Sequence, residues 1–438
     1  MATRIAAHAR AGMDTGLERE AARSASSKAI ATQAYAADHV ALSRSAKNIP
    51  PRMSAGNRVT PLVDKQQVLP AVLDTIRNAK HSVQLQSYLF GGKTGQAIAD
   101  ALIERKQAGL DVRVLLDPKL GVVGADDHQA AINALKAHGI EVRTFPLDRL
   151  NPDAGWLKQH RAIDHAKLVV ADGKVAVAGG MNLSDTGVKA HDYMVRMEGP
   201  GATNLNRMFN EDWEIAGGEH FATPAPAAAQ GDARIALAES SATRRNIVPL
   251  VVSQFDQAQK SIDVEALFLD QPDYVNALIA AHRRGVDVRV LLDKNAIPLY
   301  ANAVKAGPLM TKLGLDVAPD LPAIAKLRAA GIPVHYYEPH DGMDYLHGKL
   351  AVIDGKTTLI GSANFTSQAV ENNREIFMSI DDASAAHTFG NVIQDDWAHH
   401  SVEAKPLSWF QRRIGSALTW LEKRIYGSGG SQAKTAAS

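Results

Sequence analysis

The chain has 438 residues, of which 45% are hydrophobic and 22% are charged, and it contains no cysteine. This composition is typical of a soluble globular protein that is long enough for two domains. The 48 basic and 47 acidic residues nearly cancel, which argues against the broad positive surface of a nonspecific nucleic-acid binder. The lack of cysteine excludes disulfides, thiolate metal sites and cysteine nucleophiles.

The sequence contains no run of about 18 apolar residues, so we expect no transmembrane helix. The N-terminus carries early arginines but lacks the apolar stretch of a secretory signal. We therefore expect a soluble or peripheral protein. The sequence leaves its localisation unknown, either cytoplasmic or exported by a non-classical route.

A long internal repeat is the most informative feature of the chain. Four blocks recur in the same order, and the matching positions Asp117 and Asp293 differ by nearly the same interval as His165 and His347. The paired blocks are 71–90 with 249–268, 101–119 with 277–295, 132–145 with 324–337, and 165–182 with 347–364. Such a period predicts a duplicated architecture.

The predicted regions follow in chain order. Residues 1–60 are rich in Ala, Ser and Arg and poor in aromatics, which predicts a helical or disordered extension. The first repeat predicts a lobe over 61–222, and the Pro- and Ala-rich segment 223–232 predicts a linker. The second repeat predicts a lobe over 233–400.

Within each repeat, short β-rich runs such as VRVLL and KLVVA alternate with segments of helical spacing. Strands that are apolar on both faces and alternate with helices are typical of a sheet covered on both sides. We therefore predict the α/β class, with two similar α/β/α sandwich lobes, mixed and largely parallel sheets, and a pseudo-twofold relation between the lobes.

Residues 401–438 predict a basic amphipathic C-terminal helix and tail. Leu407, Phe410, Ile414 and Leu418 recur at helical spacing, with arginines and lysines between them. Two interpretations stay open: a helix docked on the rest of the protein, or a helix that rests on an anionic membrane.

Both repeats carry the same pattern of chemically active residues. A lysine follows a histidine by two residues, an aspartate comes five residues later, and an asparagine ends a small turn after the next strand. The members are His165, Lys167, Asp172 and Asn182 in the first repeat and His347, Lys349, Asp354 and Asn364 in the second. Residues two apart on a strand point to the same side, so each His and Lys should project into one cleft.

This pattern predicts a metal-independent phosphodiesterase with one site at the seam between the lobes. Breaking a phosphodiester without a metal requires a nucleophile, an acid for the leaving oxygen, and positive charge around the phosphate. Two imidazoles can supply the first two because they titrate near neutral pH, and two lysines can neutralise the phosphate. Neither half is sufficient alone, and we expect no metal and no cofactor.

The remaining members of the pattern have other expected roles. Asp172 and Asp354 stand at strand ends before Gly-Lys, which is a turn position, so we expect structural roles for both. The two asparagine amides and the hydroxyl of Ser362 can donate hydrogen bonds to phosphate. The first repeat has Gly180 where the second has Ser362, so hydroxyl donation is expected from one side only.

The doubled pattern resembles the phospholipase D superfamily, over roughly residues 61–400. The resemblance implies that one histidine forms a covalent phosphohistidine while the other protonates the leaving alcohol. Carried over, His165 is the nucleophile and His347 the acid. The family also places an acid after each Asn turn that orients a catalytic histidine, which implies Asp192 and Glu375, and leaves open which acid serves which ring.

Within this superfamily, two full signatures in one chain are typical of lipid enzymes. The segment from Gly179 to Trp213 also resembles the cardiolipin synthase and bacterial phospholipase D branch. We therefore expect a phospholipid substrate, with hydrolysis or transfer of its headgroup phosphodiester. We also expect a monomer, because one chain holds both half-sites. The usual cardiolipin synthase begins with transmembrane helices, and because we expect none here, we expect a soluble or peripheral enzyme.

Two further hypotheses and one insertion complete the sequence-based interpretation. A nuclease acting on DNA or RNA is the alternative, in which basic residues track a phosphate backbone. The basic residues are Lys158, Arg161, Arg283 and Arg284. A catalytically idle binding protein is disfavoured because both motifs are intact. The apolar insertion 294–319 is either a packing excursion or a segment that lines an acyl groove or forms a lid.

Overall fold

The computed structural model describes residues 49–119, 127–150, 156–220, 224–241, 243–294 and 320–405, which lie in one compact unit that begins at Ile49. The described helices are α1 (Asp64–Arg77), α2 (Gly92–Gln107), α3 (His128–Ala137), α4 (Trp156–Arg161), α5 (Pro200–Ile215), α6 (Ile247–Gln257), α7 (Pro272–Arg283), α8 (Leu321–Ala329), α9 (Ser367–Asn372) and α10 (Ala383–His399).

The described strands of the first half are β1 (Arg52–Val63), β2 (Ser82–Ser87), β3 (Phe90–Gly91), β4 (Asp111–Leu116), β5 (Glu141–Thr144), β6 (Leu168–Ala171), β7 (Val175–Gly179), β8 (Leu183–Ser184), β9 (Ala190–His191) and β10 (Tyr193–Glu198). Those of the second half are β11 (Ala233–Ser240), β12 (Ser261–Ala266), β13 (Asp287–Asp293), β14 (Val334–Tyr337), β15 (Tyr345–Leu346), β16 (Lys349–Ile353), β17 (Thr357–Gly361), β18 (Glu375–Asp381) and β19 (Ser401–Glu403).

Fifteen of the described strands form one continuous sheet, in the order β19-β14-β13-β12-β16-β17-β18-β11-β1-β10-β7-β6-β2-β4-β5. The two halves repeat the same succession of strands: β14-β13-β12-β16-β17-β18-β11 in the second half corresponds to β5-β4-β2-β6-β7-β10-β1 in the first. They meet at β1 and β11, which pair antiparallel at the centre. The predicted α/β class and the duplication into two lobes are confirmed, and the two lobes share a single sheet.

The sheet is mixed, but its proportion of parallel to antiparallel strand pairs differs from the largely parallel arrangement that we expected. Among the described strands, parallel pairing joins β2, β4 and β5 in lobe one and β12, β13 and β14 in lobe two. The strands that follow each lysine form hairpins, β6–β7 and β16–β17, and these pair antiparallel. Tight turns permit only antiparallel neighbours, whereas helical crossovers produce parallel ones.

The N-terminal extension ends earlier than residue 60. Arg52–Val63 form strand β1, where we had expected helix or disorder, because β1 fills the place between β10 and β11 and its backbone pairs with both. Residues 1–48 lie outside the described part of the chain. The boundaries 61–222, 223–232 and 233–400 stay a prediction.

Two other expectations fall largely outside the described residues. Of the predicted C-terminal helix, 401–403 form strand β19 against β14, and 406–438 are not described. Of the insertion 294–319, 295–319 are not described. None of the described helices combines the length and the apolar character needed to cross a membrane.

The core explains why both faces of the sheet are apolar. Along β6 the side chains of Val169 and Ala171 pack in the lobe-one core beneath α1 to α3, whereas Leu168 and Val170 point to the opposite face. That opposite face is shared by the lobes, since α5 of lobe one and α10 of lobe two contribute Trp213 and Phe389 to one cluster. The lobes are therefore held together by a common apolar core as well as by the sheet.

The central position of β1 leads to a prediction about truncation. A chain that begins at Ile49 should unfold cooperatively like the full chain, because β1 is retained. A chain that begins at Asp64 should lose cooperative unfolding and aggregate, because β10 and β11 would be left as open strand edges inside the sheet. Thermal unfolding followed by circular dichroism and light scattering compares the two. Equal melting curves for the two truncated chains would contradict this account of β1.

Candidate active site

The two hairpins bring each histidine, lysine and asparagine together. His165 and Lys167 immediately precede β6, and Asn182 follows β7, which runs antiparallel beside it. The start of one strand therefore lies beside the end of the next. The second lobe repeats the arrangement with His347, Lys349, β16 and β17.

Each histidine is held by the acid of the other lobe. Nδ1 of His165 lies 3.1 Å from Oε2 of Glu375, and Nδ1 of His347 lies 2.6 Å from Oδ2 of Asp192. The backbone makes the same exchange: the amide of His165 donates to the carbonyl of Arg374, and that of His347 to the carbonyl of His191. The question that the sequence left open is thereby answered: Glu375 serves His165, and Asp192 serves His347.

These contacts set the tautomer and direction of both rings. A carboxylate that accepts a hydrogen bond from Nδ1 leaves the lone pair on Nε2, which can attack a phosphorus atom or receive a proton. Both rings are nearly buried, with His165 5% and His347 6% exposed, and the two acids are fully buried. The geometry therefore suits nucleophilic and acid–base chemistry in a site that contains little water.

The two lysines lie beneath the histidines and are also buried. Nζ of Lys167 donates to the carbonyl of His165 at 2.7 Å, and Nζ of Lys349 donates to the carbonyl of His347 at 2.6 Å. The ammonium of Lys167 also lies 5.3 Å from the ring centroid of Tyr88, which itself packs edge-on against His165. Tyr88 is a site neighbour that the motif did not indicate.

Burial shifts the protonation of the whole group. Desolvation lowers the pKa of His165 to about 4 although Glu375 opposes it, and lowers the pKa of His347 to about 3 with the help of Lys349. Desolvation likewise lowers the pKa of Lys167 to about 7 and that of Lys349 to about 8, against the attraction of the acids. Without substrate, both imidazoles are therefore neutral near pH 7, as a nitrogen nucleophile requires.

The asparagines complete the predicted sets. Asn182 is buried and Asn364 partly buried, and the described residues offer no hydrogen-bond partner to Oδ1 of either amide. Buried amide oxygens usually have partners, so these two oxygens are available to a hydrogen-bond donor, such as a hydroxyl group of a ligand. Their catalytic roles, like those of the histidines and lysines, stay predictions.

The difference between Gly180 and Ser362 has a steric cause. Ser362 Oγ donates to Oε2 of Glu375 at 2.6 Å and so supports the acid rather than facing solvent. At Gly180 an added Cβ would lie 2.3 Å from Oδ1 of Asp192, closer than any real contact. The first lobe therefore requires glycine at this position because Asp192 occupies the space of the side chain.

The motif aspartates contact backbone away from the histidines. Asp172 and Asp354 both have positive φ, of 56° and 54°. The carboxylate of Asp172 accepts hydrogen bonds from the amides of residues 80–82, and that of Asp354 from the amides of 259–261. Each thus ties the turn after its strand to the start of β2 or β12, at the end of the sheet opposite the site.

Sequence reasoning missed the buried cations that precede the two acids. Arg374 and His191 precede Glu375 and Asp192 and are buried among carboxylates. One carboxylate in each set comes from a repeated Asp-Trp pair, Asp212 in α5 and Asp396 in α10. This recurring pair was a usable signal that we did not use.

The comparisons with known proteins agree with this geometry. Residues 72–213 and 251–397 match the family model described as cardiolipin synthase, PLD-like domain. The chain belongs to this family. The predicted membership of the phospholipase D superfamily is therefore confirmed, and with it the prediction of a phospholipase D-like enzyme.

Individual relatives show the same family relationship. The chain is 27% identical over 384 residues to cardiolipin synthase A of Citrobacter koseri, covering 83% of this chain and 74% of that protein. It is 26% identical over 390 residues to cardiolipin synthase A of Klebsiella pneumoniae, covering 85% and 75%. The crystal structure of phosphatidylserine synthase from Haemophilus influenzae has the same fold, with a TM-score of 0.60, 15% identity, and coverage of 88% and 98%.

The lowered lysine pKa values predict how anion binding depends on pH. Dimethyl phosphate keeps its single charge, so its affinity should fall at least about tenfold between about pH 6 and about pH 9, as Lys167 and Lys349 lose their protons. Isothermal titration calorimetry measures this. The Lys167→Met/Lys349→Met variant is the control and should bind weakly at every pH. An affinity of the unaltered protein that stays constant over this range would contradict the prediction.

The close approach at Gly180 predicts an asymmetric pair of substitutions. Gly180→Ser should lower the rate of cleavage of bis(p-nitrophenyl) phosphate by about 10²-fold or more, because displacing Asp192 releases the His347 ring. Ser362→Gly removes one hydrogen bond to Glu375 and should cost about tenfold or less. Steady-state kinetics on variants with unaltered melting curves compares the two. Equal losses would show that the steric account is wrong.

Proposed function

We propose that the chain is a phosphatidyltransferase that exchanges the headgroup of a phospholipid through a phosphohistidine intermediate. The observation that carries this proposal is the crossed pair of histidine–acid contacts, His165 with Glu375 and His347 with Asp192, above two buried lysines. Two oriented imidazoles and two cations are what a metal-free, two-step displacement at phosphorus requires.

In the first step, Nε2 of His165 attacks the phosphorus of the donor lipid, and the bond from phosphorus to the headgroup oxygen breaks. His347 supplies the proton that the departing alcohol takes up. In the second step, His347 removes the proton of an acceptor hydroxyl, whose oxygen attacks the phosphorus and releases His165. Glu375 stabilises the positive charge that develops on His165 in the first step.

The protonation that this sequence requires depends on the substrate. With the site empty, the positive charge of Lys349 contributes to the low pKa of His347. A phosphodiester between the lysines brings a negative charge, which raises the pKa of both imidazoles. The diester thus helps to install the proton that His347 must donate.

Burial of the site supports transfer rather than hydrolysis. A phosphohistidine surrounded by nearly buried residues meets few water molecules, so an acceptor alcohol bound beside it has the advantage. The relatives that bear the name cardiolipin synthase A support a phospholipid as the donor and a lipid or glycerol hydroxyl as the acceptor. We propose a monomer that acts at a phospholipid surface, in which the segment 406–438 provides peripheral contact.

A nuclease is the second candidate, and two of its four basic residues lie away from the motif lysines. Arg283 and Arg284 precede β13, whose first residue, Asp287, pairs with Ser261 at the start of β12. Lys349 pairs with Ala266 at the other end of β12. These arginines therefore lie roughly 17 Å along the strand from the lysine and do not contribute to the phosphate site itself.

The test is a substrate panel in the presence of EDTA. Vesicles of phosphatidylglycerol should yield cardiolipin and glycerol, and added ethanol should yield phosphatidylethanol, both read by mass spectrometry. Phosphatidic acid as the main product would show that the enzyme hydrolyses the headgroup phosphodiester instead of transferring it. Cleavage of single-stranded DNA or RNA with no lipid turnover would overturn the proposal in favour of a nuclease.

The roles of the histidines are tested by single substitutions. His165→Ala and His347→Ala should each lower turnover by at least about 10³-fold, because each removes a group that no other residue replaces. His165→Ala should also abolish incorporation of ³²P from labelled lipid into protein quenched with alkaline detergent, whereas His347→Ala with an activated, ³²P-labelled p-nitrophenyl ester should retain labelling. The solvent-exposed His399→Ala is the control. Labelling lost only in His347→Ala would reverse the two roles.

A further inference from the structure

The residue before each orienting acid differs between the two halves. Arg374 precedes Glu375 and His191 precedes Asp192, and their carbonyls accept equivalent hydrogen bonds from the amides of the catalytic-motif histidines. One half of the site is therefore supported by a guanidinium, which never loses its charge, and the other by an imidazole, which can.

Arg374 is fully buried in a cage of carboxylates. Its Nε donates to Asp212 at 2.8 Å, and its NH2 group donates to Glu239 at 3.0 Å. Its NH1 group donates to the carbonyl of Glu375 at 2.8 Å, which fixes the backbone of the acid itself. Gln86, a neutral amide in β2, donates to Asp212.

His191 occupies the equivalent cage in the other half. Its Nδ1 lies 2.9 Å from Oδ1 of Asp64, and its Nε2 lies 3.0 Å from Oδ2 of Asp396. Two carboxylates on opposite ring nitrogens are both satisfied only when both nitrogens carry protons. The geometry therefore favours an imidazolium.

The groups that face the ring come from every element packed against it. Asp64 opens α1, Asp396 lies in α10, Tyr193 in β10, Glu265 in β12 and Tyr337 in β14, and His340 follows β14. Glu265 stands at the position that Gln86 holds in the other half. Burial raises the pKa of Glu265 to about 8, so it is mostly neutral near pH 7, as the amide of Gln86 is.

The cage of His191 is connected directly to the catalytic half-site. Oδ1 of Asp64 accepts both from the His191 ring and from the backbone amide of Asp192, at 2.9 and 3.0 Å. Asp192 in turn holds Nδ1 of His347. A neutral ring keeps one N–H, so loss of the charge leaves either Asp64 or Asp396 without its donor. When the ring no longer donates to Asp64, the backbone that aims Asp192 is released.

We propose that His191, held as an imidazolium between Asp64 and Asp396, is a positioning residue that orients Asp192 and through it His347. It is the titratable counterpart of Arg374 in the other half of the site. The His347 half-site is therefore sensitive to alkaline pH through its supporting cation, whereas the His165 half-site is not.

The direction of this pH dependence follows from the cage. Burial lowers the pKa of His191, but the hydrogen bonds to Asp396 and Asp64 and the negative charge of Asp64 outweigh it and raise the pKa well above the usual value. A cation with a raised pKa in the folded state stabilises that state below its ordinary pKa. The stabilisation is lost as the pH rises through the raised value.

A bound metal is the competing explanation of the same cluster. His191, Glu265 and Asp396 offer ligand atoms within 4.8 Å of one another. A divalent ion would require a neutral imidazole and ionised carboxylates, whereas the equivalent cage contains a guanidinium and a neutral amide at these positions. The correspondence between the halves therefore favours the imidazolium.

The first test observes the charge in the intact protein and needs no enzymatic activity. In the full chain with ¹⁵N-labelled histidine, both ring nitrogens of His191 should be protonated at about pH 8, where an ordinary imidazole is neutral. The signals are assigned with His191→Gln, or with Asp64→Asn if that variant does not fold. A neutral ring at about pH 7, or one equivalent of zinc in the purified protein by elemental analysis, would overturn the proposal.

The second test is a double-mutant cycle, and it rests on the proposed phosphodiester chemistry. His191→Gln should lower kcat about tenfold or more with little change in KM, and should cost nothing further in Asp192→Asn, because it acts through Asp192. In the Glu375→Gln background, His191→Gln should lower kcat by the same factor as in the unaltered protein, so that the two losses multiply. Arg374→Gln is the matched control. It should cost nothing further in Glu375→Gln, and its loss of kcat should multiply with that of Asp192→Asn. Independent costs for His191→Gln and Asp192→Asn would overturn the positioning role.

The two tests separate the two proposals. A protein that turns over no phosphodiester but retains a protonated His191 at alkaline pH would contradict the proposed function alone. Turnover with a neutral His191 would contradict only the present inference.

Discussion

Two hydrogen bonds that cross between the repeats orient the two imidazoles of the candidate site: His165 to Glu375 and His347 to Asp192. A buried imidazole without a partner could rotate, and neither ring nitrogen would be assigned to attack or to proton transfer. Because each acid comes from the opposite repeat, correct orientation exists only when both lobes are folded together. The shared sheet and the common apolar core therefore serve the reaction as well as stability.

Much of the site could be predicted because its members recur at a fixed period. The repeat matched His165 to His347, Lys167 to Lys349 and Asn182 to Asn364. The strand–turn–strand spacing then placed each set on a hairpin. Asp192 and Glu375 were found through resemblance to a family. Their pairing was not, because the choice between crossed and uncrossed contacts depends on how the lobes dock.

The missed features share a physical reason. The joining of the lobes into one sheet depends on β1, a strand that lies outside the four recurring sequence blocks and contributes no motif residue. The expectation of largely parallel sheets gave too little weight to the hairpins. Arg374 and His191 escaped notice because the repeats have different residue types there, and a search for identity overlooks positions where two different cations perform one task.

The clash at Gly180 bears on how such a molecule can diverge. In a symmetric pair of identical subunits, every substitution appears on both sides of the twofold axis, so a change tolerated beside one acid must also be tolerated beside the other. Here a serine supports Glu375, while the space at Gly180 is taken by Asp192. When both halves lie in one polypeptide, a substitution in one half no longer has to appear in the other. Each catalytic partner can then acquire surroundings suited to its own task.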